Sequence, residues 1–553
     1  MEQVSQPPGD NPGARRRRSV RALGAMLLTG LLIGGAVPYV TGTGDTYLSY
    51  LVLDERADAQ GAEHAADRVR AHGGRVVQDY PQIGAVLAYA GPRFGAALRG
   101  QAGIAAVGAT RTVPVPSPPR PLAGAAFGTG PGRPAGTAPA LDAAPASALD
   151  AAPASALDAA PAPALDAASA PGRGQDAREG ADEATPTVPD PGEHDDWNLA
   201  MIGAVEHPAG QDALLRPAVA TGRQGDPATD LPTPQQLSGV TVAVLDSGVD
   251  DTHPDLRAAV DPAASASCAD GRPDSRSGAW RPDDSVGESG HGTHVAGIVG
   301  AARDGHGVTG VAPGVRIAAV RLLGPLGQYY AENIVCGMLW AADHGARAIN
   351  DSYFADPWKY NCPEDPDQAA LIAAVGRAVA YAQRKGAVVV ASAGNDGQDL
   401  TAGRADRRSP NDRVSGPPQD RQLGTECIRL PGELPGVVTV SAVDRSGLPA
   451  VYSNYGRGKV SVAAPGGDPD AGPDGAVVSD WPDGRYAALA GTSMSAAHVT
   501  GAVAVVAARH PDWGPERIAA ALATAADTGC GLSAPSGCRT RSYYGAGVLT
   551  LPH

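Results

Sequence analysis

The sequence predicts an α/β protein, a mostly parallel central sheet flanked by helices, preceded by a small α+β domain. Three observations lead there. Beyond Trp197, short apolar runs alternate with helical stretches to the carboxyl end. Between Thr46 and Val115 the order is strand, helix, strand, strand, helix, strand. The segment 116–195 between them absorbs much of the Pro and Ala, so neither folded region has to accommodate that excess.

Residues 1–45 come first. Arg15 to Arg18 precede an uncharged stretch, Ala22 to Gly44, centred on Leu27, Leu28, Leu31, Leu32 and Ile33. A basic n-region followed by an apolar h-region predicts an export signal. The stretch is also long enough for a membrane anchor facing outward, although Gly34, Gly35 and Pro38 weaken its second half. In the α+β region, 46–115, strands are expected at Tyr47–Leu53, Arg75–Val77, Ile83–Tyr89 and Ile104–Val107, with helices at Ala62–Ala71 and Arg93–Arg99. Within 116–195, Ala140 to Pro171 holds four near-copies of Ala-Leu-Asp-Ala-Ala-Pro-Ala-Ser. A proline every eighth residue cannot sustain a helix, and so few leucines cannot form a core; a disordered linker follows.

From 196 to 553, buried strands are predicted at Val240–Leu245, Val315–Leu323, Ala346–Ile349, Ala387–Ala391, Val437–Ala442 and Val460–Ala464. Helices are predicted near His294–Ala302, Asn333–His344, Ala369–Arg384 and Ser495–Ala508. Short apolar strands alternating with helices argue for a mostly parallel sheet covered on both faces. Functional groups of such sheets collect at the carboxyl ends of the strands. With a formal charge of −15 and only three lysines, the chain lacks the basic face that nucleic acid requires.

Four segments stand where that rule directs attention. Val240–Leu245 runs into Asp246-Ser247-Gly248, and a carboxylate ending a buried strand needs a partner, although the tripeptide also suits a turn. Gly290-His291-Gly292-Thr293-His294 opens a helix, its glycines permitting close backbone approach to the imidazole. The His-x-x-His pair has no third Cys, His or Glu at ligand spacing, so no metal site is expected there. Gly491-Thr492-Ser493 leads into a helix apolar on all faces, which places Ser493 at its positive end; alone, Ser493 also suits an N-cap. Ser392-Ala393-Gly394-Asn395-Asp396-Gly397 follows another strand, where Asn395 would equally suit a turn. Together they form a chemistry. A serine hydroxyl is a weak nucleophile until a base takes its proton, and a histidine base works best when a carboxylate fixes its tautomer.

The segments DSGVDDTHPDL, GHGTHVAG, VVASAGNDG and GTSMSAAHVTG, in this order, resemble the subtilisin-like serine proteases over Trp197 to Val548. The resemblance implies a secreted serine endopeptidase, of the type found in actinobacteria, with Asp246, His291 and Ser493 as triad. It implies Asn395 and the Ser493 amide as oxyanion hole. It further implies a substrate strand between Gly324–Gly327 and Ser352-Tyr353-Phe354, with Ala391 to Gly394 lining the first specificity pocket. Here the chain departs from the family: Phe354 stands where glycine is usual, the Gly324 segment looks shortened, and Ala497 replaces a proline. Bulky Tyr353 and Phe354 are expected to narrow the cleft. Region 46–115 is similar to the propeptides of such enzymes, which makes a self-processing zymogen the expectation, with cleavage in or near the linker. Trp197 to Ile202 resembles the usual start of the mature fold.

All six cysteines lie in the protease region, and an even count in an exported chain favours disulfides. Cys530 and Cys538 close a short loop. The resemblance suggests Cys362 with Cys427 and Cys268 with Cys336. Expected partners are polypeptide substrates and the chain's own propeptide; a monomer is expected, requiring no cofactor, and no ligand set for a structural calcium ion is legible. Two other classes compete. A catalytically silent binding protein would need a broken triad or oxyanion donor, and all four positions are intact. A membrane-tethered processing protease would use the repeat as a spacer.

Overall fold

The computed structural model describes residues 46–115, 190–194, 196–205, 231–286, 289–412, 419–528 and 540–552. The expected signal or anchor, the Ala/Pro repeat and the Cys530/Cys538 pair lie outside the described residues. No helix among the described residues is long and apolar enough to cross a membrane.

The first region folds as β1 (Leu48–Asp54), α1 (Ala59–Ala71), β2 (Arg75–Tyr80), β3 (Ala85–Ala90), α2 (Phe94–Leu98) and β4 (Ile104–Ala109). Its antiparallel sheet has the order β2-β3-β1-β4. Asp58 caps α1 by accepting the Gly61 amide at 2.9 Å. Along β1 the side chains alternate. Tyr50 and Val52 pack with α1 and α2, whereas Leu51 and Leu53 enter a core shared with the larger region.

The larger region contains α3 (Trp197–Ile202), α4 (Pro234–Leu237), β5 (Thr241–Asp246), β6 (Ala266–Ser267), α5 (His291–Gly300), β7 (Arg316–Arg321), α6 (Ala331–Asp343), β8 (Ala348–Asp351), α7 (Pro366–Arg384), β9 (Val388–Ser392), β10 (Arg404–Asp406), β11 (Arg421–Leu423), β12 (Val438–Val443), β13 (Val462–Pro465), β14 (Val477–Trp481), β15 (Arg485–Leu489), α8 (Thr492–Arg509), α9 (Pro515–Ala525) and α10 (Arg541–Tyr544). Seven strands form one parallel sheet, β13-β12-β9-β8-β5-β7-β6. Val242 and Val244 face a core shared with α5, α8 and α9; Ala243 and Leu245 face the core under α6 and α7. Both faces of β5 are covered, which is why it is apolar from Val242 to Leu245. From β5 the chain builds to one side through β7 and to the other through β8, so the order reverses at β5, and crevices form at such reversals.

Asp190 is buried, its Oδ1 accepting the amides of Asp304, Gly305 and His306 at 3.1, 2.6 and 2.9 Å. Asp190, within the segment expected to be linker, thus meets the demand of three loop amides for an acceptor. Cys268–Cys336 and Cys362–Cys427 are bonded.

The sheet of the small region lies against α6 and α7. Arg377 on α7 donates to the carbonyls of Ile83 and Asp54 at 2.9 and 2.8 Å. Asp367, in the first turn of α7, accepts the Ala109 amide at 2.9 Å and pairs with Arg99. Glu332, on α6 and fully buried, accepts from Ser49 Oγ at 3.2 Å and Arg111 Nε at 2.8 Å. The Tyr80 hydroxyl donates to the Gly271 carbonyl at 2.6 Å.

Candidate active site

Asp246 ends β5 and is fully buried. Its Oδ1 accepts the Ser247 amide at 2.7 Å, His291 Nδ1 at 2.8 Å and the Tyr329 hydroxyl at 3.3 Å. The bond to Nδ1 fixes the imidazole tautomer and leaves Nε2 as the basic nitrogen. His291 opens α5, and the Ser247 hydroxyl ties the two segments by accepting the Gly292 amide at 2.9 Å while donating to the Ser289 carbonyl at 2.9 Å. A Cβ on Gly292 would stand 2.3 Å from the Gly248 carbonyl oxygen, and one on Gly290 2.5 Å from the Trp481 ring. These glycines thus admit the Asp246 turn and Trp481, a different close approach from the one expected at the imidazole.

Ser493 is the second residue of α8, after Gly491 as N-cap, so it is not the capping residue. Residues Thr492 to Ala507 are all buried, which points the positive end of a core helix at Ser493. The Ser493 hydroxyl donates to the Ser352 carbonyl at 3.2 Å, and Ser352 Oγ donates to the Ser493 carbonyl at 3.1 Å. Asn395 follows β9. Its Oδ1 accepts from the amide and hydroxyl of Thr492 at 3.0 and 2.7 Å, which commits the carbonyl side of the amide and leaves Nδ2 to donate elsewhere. The loop around Asn395 hangs on buried Asn454, whose Nδ2 donates to the Ala393 carbonyl and whose Oδ1 accepts the amides of Asp396 and Gln398 at 2.9, 3.2 and 2.9 Å.

The remaining expected site residues are placed as follows. Gly324 is buried, its amide donating to the Gln328 carbonyl at 3.3 Å and its carbonyl accepting the Gly327 amide at 2.9 Å. Both its backbone groups are thus held inside the turn, and Leu326 is the exposed tip. Ala391 lies in β9 with its side chain in the core under α6 and α7. Gly394 adjoins Asn395, its amide donating to Thr492 Oγ1 at 3.1 Å. Tyr353 and Phe354 are buried. Tyr353 turns inward, stacks on Tyr329 at 4.9 Å and donates to Asp351 Oδ1, so its bulk goes beneath the cleft. Burial, reinforced by the nearby Asp246 charge, pushes Asp351 up to about 8.

Sequence reasoning missed Tyr329, Asp351, Asn454 and Thr492. Only Thr492 had a local signal, its place beside Ser493. Buried His294 donates Nε2 toward the carbonyls of Val477 and Ala487 at 3.1 and 3.0 Å, and its burial pulls its pKa down to about 3. Among the described residues, two groups place three potential metal ligands within reach of one another. In one, Cys362 and Cys427 are already joined. The other, His253, Asp255 and Asp480, is wholly buried, and both carboxyl oxygens of Asp480 lack a hydrogen-bond partner. His253 Nε2 faces the Arg485 carbonyl at 3.0 Å, and its Nδ1 accepts the Asp255 amide at 3.3 Å. The unpartnered carboxyl oxygens of Asp255 and Asp480 fit either a small cation or a shared proton.

Residues 237–547 match the family model described as Subtilase family, peptidase S8. The chain is 32% identical to subtilisin BL of Lederbergia lenta over 276 residues, covering 50% of this chain and 79% of that protein. To subtilisin E of Bacillus subtilis it is 31% identical over 318 residues, 57% of this chain and 65% of that one. In fold it is similar to the epidermin leader peptide processing serine protease of Staphylococcus aureus, with a TM-score of 0.59, 19% identity, and coverage of 92% and 97%. It is likewise similar to fervidolysin of Fervidobacterium pennivorans, with a TM-score of 0.54, 22% identity, and coverage of 92% and 61%. The parallel sheet and the family match agree: this chain belongs to the subtilase family and is a serine-type endopeptidase.

Proposed function

We propose that Asp246, His291 and Ser493 cleave peptide bonds as a triad, with Asn395 and the Ser493 amide as oxyanion hole, in an exported enzyme made as a self-processing zymogen. The observation that carries this reading is the 2.8 Å bond from His291 Nδ1 to buried Asp246, on a helix that shares its core with α8, whose positive end holds Ser493. The Ser493 hydroxyl leaves the Ser352 carbonyl, gives its proton to His291 Nε2 and attacks the substrate carbonyl. Asp246 steadies the imidazolium without taking its proton. The oxyanion receives the Ser493 N–H and Asn395 Nδ2–H, donors held in place before charge develops. The imidazolium then protonates the leaving amine, and water, activated by the same base, releases the acyl group. The substrate strand runs between Gly324–Gly327 and Ser352–Phe354, with Ala391 to Gly394 lining the first specificity pocket. The reading requires no cofactor.

Region 46–115 serves as propeptide. Beyond β4 the chain passes Glu332, stacks Arg111 on Tyr330 at 4.1 Å and binds Asp412 through the Thr112 amide at 2.8 Å. That course leads toward the Gly324–Tyr330 loop, one wall of the cleft. The uncharged stretch 22–44 favours export and also suits a tether; fractionating cells into membrane and medium separates the two. The decisive test is labelling with a fluorophosphonate. Label on Ser493 in the wild type, and none in Ser493→Ala, supports the triad; labelling elsewhere refutes it.

A further inference from the structure

Arg429 is a buried guanidinium that no carboxylate among the described residues approaches to ion-pair distance. It is 5% exposed, lies between the ends of β8 and β9, and forms no ion pair within 4.0 Å among the described residues. Its Nη2 donates to the Tyr353 carbonyl at 3.2 Å, its face covers the Phe354 ring at 5.0 Å, and its buried Nε has no acceptor. The carboxylates whose charge reaches it are Asp396, Glu433 and Asp356, none within ion-pair distance. Asp396 pairs with Lys359, and Glu433 pairs with Arg404 and, at 3.0 Å, with Lys459. Glu433 reaches Arg429 only at the backbone, accepting its amide at 2.9 Å. An unpaired buried charge is costly, and natural proteins retain one chiefly where something else completes it.

Its position says what completes it. Gly394 directly precedes Asn395, and the guanidinium carbon and Nη1 lie 3.1 Å from where a Gly394 Cβ would stand. Gly394 has φ +101°, so the position both favours glycine and leaves the cation against bare backbone. The other wall is Tyr353–Phe354, next to Ser352, whose carbonyl meets Ser493. A substrate carbonyl set between Ser493 and Asn395 directs the side chain of its own residue between these two strand ends, toward Arg429.

We propose that Arg429 makes this pocket selective for an acidic side chain, glutamate or aspartate, on the residue whose carbonyl is attacked. The inference rests on the triad and oxyanion assignment above. A carboxylate there gains a charge-assisted, geometrically matched hydrogen bond, and an apolar side chain leaves the cation unpaired. One such bond is worth about 10- to 100-fold in kcat/KM.

The test uses the processed enzyme obtained from the full-length chain and quenched peptides differing only at that residue: Glu, Gln, Leu or Arg. The expected order is Glu above Gln and Leu by at least about tenfold, with Arg worst. Arg429→Met should lower Glu cleavage by about 10- to 100-fold and leave Leu cleavage unchanged or raised; Arg429→Lys should retain part of the preference. Preference of the wild type for Leu over Glu, or a Glu/Leu ratio unmoved by Arg429→Met, overturns the proposal. If Arg429→Met does not fold, the wild-type Glu/Gln ratio decides, since these side chains differ in charge and hardly in shape. Fluorophosphonate labelling of Ser493 with no Glu preference removes this inference and leaves the triad standing; failure to label removes the triad.

Discussion

Replacing Arg111 by methionine keeps most of the side-chain volume and removes its charge. Its partner Glu332 is fully exposed to the consequence: the carboxylate is 0% accessible, its Oε2 has no partner, and Oε1 retains only the Ser49 hydroxyl once Arg111 is gone. Breaking a buried pair from one side costs about 3–5 kcal/mol. Arg111 is itself 14% exposed and the Ser49 bond survives, so about 2–3 kcal/mol is the better figure, including the lost stacking on Tyr330. At about 1.4 kcal/mol per decade this raises the inhibition constant of purified 46–115 against the mature enzyme roughly 30- to 150-fold. The region has its own core between sheet and helices, to which Arg111 does not contribute, so the variant should fold as the parent does. Glu332→Gln in the enzyme supplies the control: with no buried charge to strand, Arg111→Met should then cost less than about threefold. A change under threefold against the unmodified enzyme, or an equal loss against Glu332→Gln, would refute the docking of this sheet on α6.

Ser493→Ala should abolish peptidase activity and leave an unprocessed zymogen; self-processing by purified mutant would sink the triad. Asn395→Ala should lower kcat about 10²- to 10³-fold with little change in KM, the loss known for the corresponding donor in subtilisin; an unchanged kcat would argue for a mere turn residue. Asp351, raised to about 8 by burial, keeps its proton in the folded state above the unfolded value near 4, so stability is lost as pH rises between those values. Thermal melts in a Ser493→Ala background should show that loss flattened by Asp351→Asn, whose amide oxygen still accepts from Tyr353; an equal slope refutes it. Asp480, raised by burial and by Asp255, should behave alike: Asp480→Asn raises Tm by a few degrees at pH 8 with chelator present, and a lowered Tm that appears only with calcium would assign the pair to a cation instead.

The groups assigned to bond cleavage were legible in the sequence, because what each requires is local. Asp246 ends an apolar run, His291 opens a helix between glycines, and Ser493 precedes a helix apolar on every face. Their surroundings were not legible, because they arise from strand register and from segments far apart in the chain. The predicted strand at Ala346–Ile349 stops where polarity begins, yet β8 continues through Asn350 and Asp351. Asn350 Oδ1 accepts from Thr500 on α8 at 3.0 Å and Asp351 accepts from Tyr353, partners that pay for two polar residues in a core. The β14–β15 hairpin was missed although Asp483-Gly484 at its turn, with Asp483 at φ +67°, is an ordinary hairpin signal; Trp481 and Asp480 broke the expected alternation because one covers Gly290 and the other enters the buried carboxyl pair. Phe354 shows the difference most clearly. Read alone it is a bulky residue where a glycine is usual, and narrowing is the natural expectation. Beneath Arg429 it becomes the apolar face of a cation that needs an anion, so the same departure from the family that suggested a restricted cleft points, once packed, to the charge of what the cleft admits.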